Sequence, residues 1–215
     1  LKCHYPHQYM AALMTSVLDS ATKISGYISE CKDLGIATLP PDINHSEDTF
    51  TVEGDSIRFG LGAVKNVGRG LIRSMVARRQ EGGPFKSLED FIQRMGEGEL
   101  NKRAVENFIK CGAMDCFGHH RSELLAVFES MMDSIASTRK KNLEGQIGLF
   151  GLLEDDASAK IPIPKLPELN RADLMLMEKE TTGIYLSGHP LDDYRGFLRN
   201  THVVPIGALM EEENP

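Results

Sequence analysis

Residues 65–73 combine the residue types that bind phosphate. A short turn with two glycines runs directly into a helix, which the spacing of the apolar residues predicts. The first N–H groups of a helix lack partners within it and carry partial positive charge, so they bind anions. The glycines would let a ligand approach the backbone closely and would adopt dihedral angles that other residues resist. The predicted phosphate-binding residues are Lys65, Asn66, Val67, Gly68, Arg69, Gly70 and Arg73.

The charge around this turn points to nucleic acid. Between Arg58 and Gln80 the chain has six cations and no acid, although its formal net charge is -7. A basic island in an acidic chain predicts a local nucleic-acid contact rather than a protein that coats nucleic acid. The alternative is a tight interhelical turn with solvated cations, because a Gly-x-Gly turn alone is a weak signal.

A second turn repeats the pattern. Asn101 is placed to cap a helix whose first turn contains Lys102 and Arg103. The helix dipole favours acids at that end, so two cations there predict an anionic ligand. Two helix–turn–helix units between residues 58 and 118 therefore predict a tandem helix-hairpin-helix that holds a duplex backbone without reading bases. The alternative is a four-helix packing unit with solvated Lys and Arg side chains.

A different kind of motif lies in residues 142–160, which are rich in glycine and acids and which we expect to form a mobile loop. Within it, residues 146–150 read Gln-Ile-Gly-Leu-Phe. An amide followed by two apolar side chains on such a loop is typical of a segment that orders on a partner surface. The alternative is that Leu149 and Phe150 pack on the core of this protein. The predicted partner-binding residues are Gln146, Leu149 and Phe150.

The elements around these motifs predict a mainly α fold, a helical bundle with one small β-hairpin. The hairpin comprises residues 49–52 and 57–60, and residues 36–47 before it read as an extended connector. Leu174, Leu176, Met177 and Ile184 should be partly buried, whereas Asp173, Glu178 and Glu180 should form a solvated face. Amphipathic helices are predicted near residues 9–18, 21–34, 69–80, 88–95, 102–111, 121–141, 170–185 and 192–198.

Composition excludes several classes of protein. The 215 residues contain no apolar run as long as a membrane span and no signal peptide, so we expect a cytoplasmic protein without membrane contact. The four cysteines form no CxxC pair. Cys111, Cys116, His119 and His120 cluster in sequence, but packed thiols and surface histidines are favoured over a metal site. No catalytic constellation is found, and because residue 1 is Leu rather than Met we expect this chain to be a piece of a longer protein.

Several phrases in fixed order resemble one family, the alpha subunits of bacterial DNA polymerase III, which are C-family replicative polymerases. The resemblance covers nearly the whole chain and departs from the family pattern at Cys111, Cys116 and the acidic turn 96–99. The matching phrases are HYPHQYMAALMTSVLD, YISECKDLGI, LPPDINHSEDTFTV, IRFGLGAVKNVG, GGPFKSLEDFIQR, LNKRAVENFIKCGAMDCFG, QIGLF and EKETTGIYLSGHPLDDY.

The resemblance implies that successive segments of the chain have different roles. Residues 1–43 would end the fingers region, 44–120 would form the tandem helix-hairpin-helix, 121–200 would be the clamp-binding region, and 201–215 would lead toward an OB domain. The implied partners are double-stranded DNA, held at residues 65–70 and 101–103, the sliding clamp (beta subunit), docked at Gln146, Leu149 and Phe150, and other replicase subunits.

The resemblance also implies that the parent is a DNA-directed DNA polymerase whose Mg²⁺ ions are held by palm carboxylates. No stretch of this chain matches the palm, so no catalytic residue, metal ligand or cofactor is expected here. The alternative is a non-enzymatic helix-hairpin-helix DNA-binding or clamp-binding adaptor.

Overall fold

Seven α-helices and a three-stranded sheet make up the described part of the chain, which is residues 2–96, 98–143 and 161–194 of a computed structural model. The mainly α prediction is confirmed. The helices are α1 (Pro6–Thr15), α2 (Ala21–Asp33), α3 (Arg69–Gly82), α4 (Leu88–Met95), α5 (Lys102–Lys110), α6 (Arg121–Leu143) and α7 (Arg171–Thr182). The strands are β1 (Ala37–Leu39), β2 (Thr51–Glu53) and β3 (Ser56–Arg58), and three 3-10 turns span Leu61–Ala63, Asp115–Phe117 and Asp192–Tyr194.

Local capping explains where several helices begin and end. The Ser87 hydroxyl accepts a hydrogen bond from the Asp90 N–H at the start of α4, and the Asn101 side chain does the same for Ala104 in α5. Gly183 has a φ of 80°, which ends α7 three residues earlier than the apolar spacing predicts. Helix positions are therefore largely a local property of this sequence.

The sheet contains the predicted hairpin and one strand that was not predicted. β2 and β3 pair antiparallel, with Val52 opposite Ile57, which confirms the hairpin. β1 pairs parallel with β3, with Thr38 opposite Ile57, and lies in the segment expected to be only an extended connector. The prediction missed β1 because a three-residue strand carries little periodicity and its partner is distant in sequence.

The helices pack in two groups that share one hydrophobic core. α1 and α2 lie against the small sheet, while α5 packs on α6 and α7, and α4 packs on α3 and α6. Edge-to-face aromatic contacts connect α4 with the segment before it and with α5. The ring centroids of Phe85 and Phe91 are 5.1 Å apart, and those of Phe91 and Phe108 are 6.2 Å apart. Packing around α4 therefore ties it to α3, to α5 and to α6.

The orientation of α7 differs from the prediction. Glu178, expected on a solvated face, is only 1% exposed, whereas Leu176, expected to be partly buried, is 61% exposed. The Glu178 carboxylate accepts a hydrogen bond from Arg121 Nη1 at 3.1 Å and from the backbone N–H of Leu186 and Ser187 at 3.0 and 2.9 Å. Charge does not imply exposure at this position, because the carboxylate is buried with a full set of donors.

The start of α6 is capped by a segment that follows much later in the chain. Glu168 accepts hydrogen bonds from the backbone N–H of Arg121 at 2.9 Å and of Ser122 at 3.3 Å. Partial burial alone would raise the pKa of Glu168, but the N–H groups of Leu169, Arg121 and Ser122 lower it below its usual value. The segment before α7 is thus fastened to the base of α6.

Candidate nucleic-acid interface

The turn that precedes α3 is shaped by Asn66 rather than by its glycines. Asn66 has a φ of 60°, in the left-handed region, whereas Gly68 has extended backbone with φ −72° and ψ 141°. Gly70 lies inside the helix and also has a negative φ. The expectation that both glycines supply unusual dihedral angles is therefore wrong. A Cβ at Gly68 or Gly70 would meet no atom within 4 Å, so both glycines leave this surface open.

The N–H groups at the start of α3 are bare. The first helical hydrogen bond runs from the Ile72 N–H to the Gly68 carbonyl, and no side chain caps the helix. Within the described residues, no acceptor lies within hydrogen-bond distance of the N–H groups of Arg69, Gly70 and Leu71. Among the other helices, α4, α5 and α7 each have a side-chain cap, whereas α1 and α2 have none. Three donors at a positive helix end are therefore available to an anion.

Two of the six cations in the basic stretch serve the fold instead. Arg58 forms an ion pair with Glu53 at 2.7 Å, and Arg79 Nη1 donates to the carbonyl oxygen of Ile43 at 2.9 Å. Both arginine side chains are only 11% exposed. The basic island is therefore smaller in the folded protein than in the sequence.

Lys65 is exposed but braced on three sides. Its backbone N–H donates to the Thr181 carbonyl at 2.8 Å, and its Nζ donates to the Glu180 carbonyl at 3.0 Å. Its own carbonyl accepts from Asn107 Nδ2 at 2.5 Å. Lys65 thus joins the turn to α5 and to the last turn of α7.

Arg69 and Arg73 remain available. They are exposed, lie four residues apart on one face of α3, and have no ion pair or hydrogen bond with any residue that the structure describes. Next to the bare N–H groups, they form the part of the predicted site that is free to bind. We call these two arginines and the N–H groups of residues 69–71 the α3 anion site.

The second predicted turn is less available than the first. Lys102 Nζ lies 2.9 Å from Asp133 Oδ2 and 3.4 Å from Glu129 Oε2, so α6 supplies the anion that we expected from a ligand. The hydrogen bond to Asp133 is the main cause of a raised pKa at Lys102. Asn101 is occupied in its capping bond, and Arg103 is exposed with no partner among the described residues. Arg103 is therefore the cation of this turn that could reach an external phosphate.

The second turn contacts the middle of α3. Glu99, in the second turn, accepts a hydrogen bond from Ser74 Oγ at 3.3 Å and lies 3.6 Å from Arg78, both on α3. The acidic character of the second turn is thus partly neutralised by α3. Arg78 is thereby paired within the protein.

The cysteines behave as packed thiols where they are buried. Burial raises the pKa of Cys111 to about 12, with its side chain closed off from solvent. The described residues contain no group of three or more His, Cys, Asp and Glu side chains that could hold a metal ion. His120 instead makes a 2.8 Å hydrogen bond with the Leu166 carbonyl.

Several predictions concern residues outside the described part of the chain. These are residues 144–160 of the predicted loop with the partner-binding motif Gln146, Leu149 and Phe150, the last four residues of the predicted helix 192–198, and the tail of residues 201–215. The proposed boundaries between segments also stay predictions.

Comparison with known proteins gives the family. Residues 35–124 match a family model described as a helix-hairpin-helix motif. The DNA polymerase III subunit alpha of Thermus aquaticus is 43% identical over 211 residues, which are 98% of this chain and 17% of the relative. The subunit of Chlamydia pneumoniae is 40% identical over 97% of this chain and 17% of the relative, and that of Vibrio cholerae is 39% identical over 90% and 17%.

The chain belongs to the DNA polymerase III alpha-subunit family. It spans about a sixth of the length of these relatives. The matched helix-hairpin-helix residues include both turns and the whole α3 anion site. None of the described helices is long and apolar enough to cross a membrane.

The sequence reasoning missed the residues of this alpha-subunit segment that brace the first turn. Asn107 lies 42 positions and Glu180 lies 115 positions beyond Lys65. No local pattern links positions so far apart. One signal was available, an amide side chain among the apolar residues of α5, because a buried amide needs a hydrogen-bond partner.

Proposed function

We propose that this alpha-subunit segment holds duplex DNA by its phosphate backbone through the α3 anion site. One observation carries the proposal: the N–H groups of residues 69–71, and beside them Arg69 and Arg73, have no partner among the residues that the structure describes. The match of residues 35–124 to a helix-hairpin-helix family and the similarity to DNA polymerase alpha subunits support it. Arg103 in the second turn would supply a further phosphate contact.

The chemistry of the site favours a contact without sequence preference. Backbone N–H groups and arginines bind phosphate oxygens, which are alike at every base pair. Each neutralised phosphate adds about −0.9 to the slope of log K against log salt concentration, so two or three phosphates predict a slope of about −2 to −3. This suits an enzyme that must move along whatever sequence it copies.

The test compares matched charge changes. Duplex binding is measured by fluorescence anisotropy at several salt concentrations for the unmodified chain and for R69Q/R73Q. The control is K23Q/K32Q, which removes the same charge from exposed positions on α2. We expect R69Q/R73Q to weaken binding and to reduce the salt slope by about 2, with little effect of the control. Equal effects of both variants would show only non-specific attraction and would refute the site.

We further propose that the segment docks a sliding clamp through Gln146, Leu149 and Phe150. Support comes from the sequence pattern, an amide followed by two apolar side chains. A low affinity for the clamp would be enough to tether the enzyme, because an enzyme already bound at the primer terminus is close to a clamp on the same DNA, which raises the effective clamp concentration.

Clamp binding is tested by titrating a labelled bacterial sliding clamp with the chain and with Q146A, F150A and L152A. Leu152 lies just outside the motif, which makes L152A the matched apolar control. We expect the first two variants to lose binding and the control to keep it. An unmodified chain that fails to bind at about 100 μM, well above a weak-peptide Kd, would refute the docking proposal.

In the whole protein, this segment would serve template-directed DNA synthesis together with other replicase subunits. The similarity to DNA polymerase III alpha subunits supports that role. The magnesium ions that such chemistry uses would be held by palm carboxylates outside this chain, because no stretch of its sequence resembles the palm of the family.

A further inference from the structure

The turn before α3 is fixed from outside the hairpin. All three polar groups of Lys65 are bonded to α5 or α7: the N–H to the Thr181 carbonyl at 2.8 Å, the carbonyl to Asn107 Nδ2 at 2.5 Å, and Nζ to the Glu180 carbonyl at 3.0 Å. These partners come from two helices that do not contribute to the α3 anion site itself. The turn is therefore closed by tertiary contacts.

Asn107 is suited to a positioning role. It lies on the inward face of α5 and is only 7% exposed, among the apolar residues of that helix. Burying an amide without a hydrogen bond is costly, so the Lys65 carbonyl gives this side chain its partner. In return, the amide fixes the carbonyl one residue before the left-handed Asn66.

The end of α7 is itself firmly held, which makes it a reliable brace. Glu178, two and three residues before the contact residues, is fixed by Arg121 and by the N–H groups of residues 186 and 187. Gly183 packs so closely on the start of α2 that a Cβ there would lie 2.4 Å from the Cβ of Ala21. The two carbonyls that receive Lys65 are therefore set by the core.

We propose that Asn107 and the last turn of α7 are positioning elements of the DNA grip, so that the functional hairpin extends beyond residues 35–124 to residues 180–181. This inference rests on the proposed function of the α3 anion site. Only three residues separate Lys65 from Arg69, so the position of Lys65 sets the direction in which the bare N–H groups point. Loosening the brace lowers the fraction of molecules whose turn is ready to bind phosphate.

The test uses two substitutions that approach the turn from different sides. N107L removes the donor while keeping the branched shape of the side chain, and G183A disturbs the end of α7 through its left-handed φ of 80° and the contact with Ala21. We expect each to weaken duplex binding about fivefold, because losing one hydrogen bond would cut the competent fraction by about that factor. The salt slope should stay unchanged, since the phosphate contacts of the competent state are the same.

The salt slope separates positioning from contact. R69Q should reduce the slope by about 1, whereas N107L and G183A should not. If the unmodified chain binds duplex but N107L and G183A bind equally tightly, the positioning inference is overturned and the proposed function stands. If the unmodified chain does not bind duplex, the proposed function itself fails.

A measurement on the unmodified chain keeps the inference testable even if a variant fails to fold. Hydrogen exchange should show a protected Lys65 amide, although its side chain is exposed, because the N–H is bonded to Thr181. Exchange of this amide as fast as in an unfolded peptide would overturn the inference.

Discussion

Replacing Glu178 by glutamine should strongly destabilise the protein. The carboxylate is 1% exposed and joins α7 to two other segments, through Arg121 at 3.1 Å and through the backbone N–H groups of Leu186 and Ser187 at 3.0 and 2.9 Å. Glutamine keeps the volume but removes the charge and turns one acceptor into a donor. Where that amide faces the two N–H groups, donor meets donor.

The expected magnitude follows from the partners that remain. Removing one member of a buried ion pair costs about 3–5 kcal/mol. Arg121 keeps a second partner, Asp115, at 2.8 Å, and that aspartate side chain is half exposed. We therefore expect the lower end of the range, about 3 kcal/mol. With a urea m-value of about 2 kcal/mol/M, the unfolding midpoint should fall by about 1.5 M.

The assay is urea unfolding followed by circular dichroism, with E180Q as the matched control. Glu180 lies on the same helix but its side chain is 65% exposed, so the control should change stability by less than about 0.5 kcal/mol. A double variant, R121M/E178M, should recover part of the loss because it leaves no buried charge unpaired. A loss below about 1 kcal/mol for E178Q would refute the view that this ion pair organises the end of the chain.

Three further predictions concern the turns and caps. N66G should leave stability unchanged or raise it, whereas N66V should cost about 1–3 kcal/mol in thermal unfolding, because Asn66 has a φ of 60°. E168Q should be less stable than the unmodified chain at pH 7. Hydrogen bonds hold the pKa of Glu168 in the folded protein below its unfolded value of about 4.5. The ionised carboxylate therefore stabilises the fold above that pH, and this stabilisation is lost as the pH falls through the folded pKa. The unfolding midpoints of E168Q and of the unmodified chain should therefore converge in acid. G60A should lower the melting temperature because its Cβ would lie 2.5 Å from the backbone carbon of Thr49, whereas G68A should have a much smaller effect. A stable G60A or pH-independent difference for E168Q would contradict these contacts.

The sequence by itself determined the helices and the place of the basic turn. Apolar spacing and the caps Ser87 and Asn101 act over three or four residues, so they can be read without knowing what lies nearby in space. The same holds for the hairpin of β2 and β3 and for the basic residues that mark the start of α3. The motifs shared with the polymerase family are likewise recognisable from the amino-acid sequence alone.

Only the tertiary structure decided which charges are free. Lys102 looked like a ligand for phosphate, yet Asp133 on α6 already neutralises it, and Glu178 looked solvated, yet Arg121 holds it in the core. Arg69 and Arg73, by contrast, are exposed and have no partner among the described residues, as the sequence predicted. The sequence does not distinguish a solvated charged side chain from one that is paired within the protein. The partners of Lys102 and Glu178 lie tens of residues away, so their identity follows from packing rather than from local spacing.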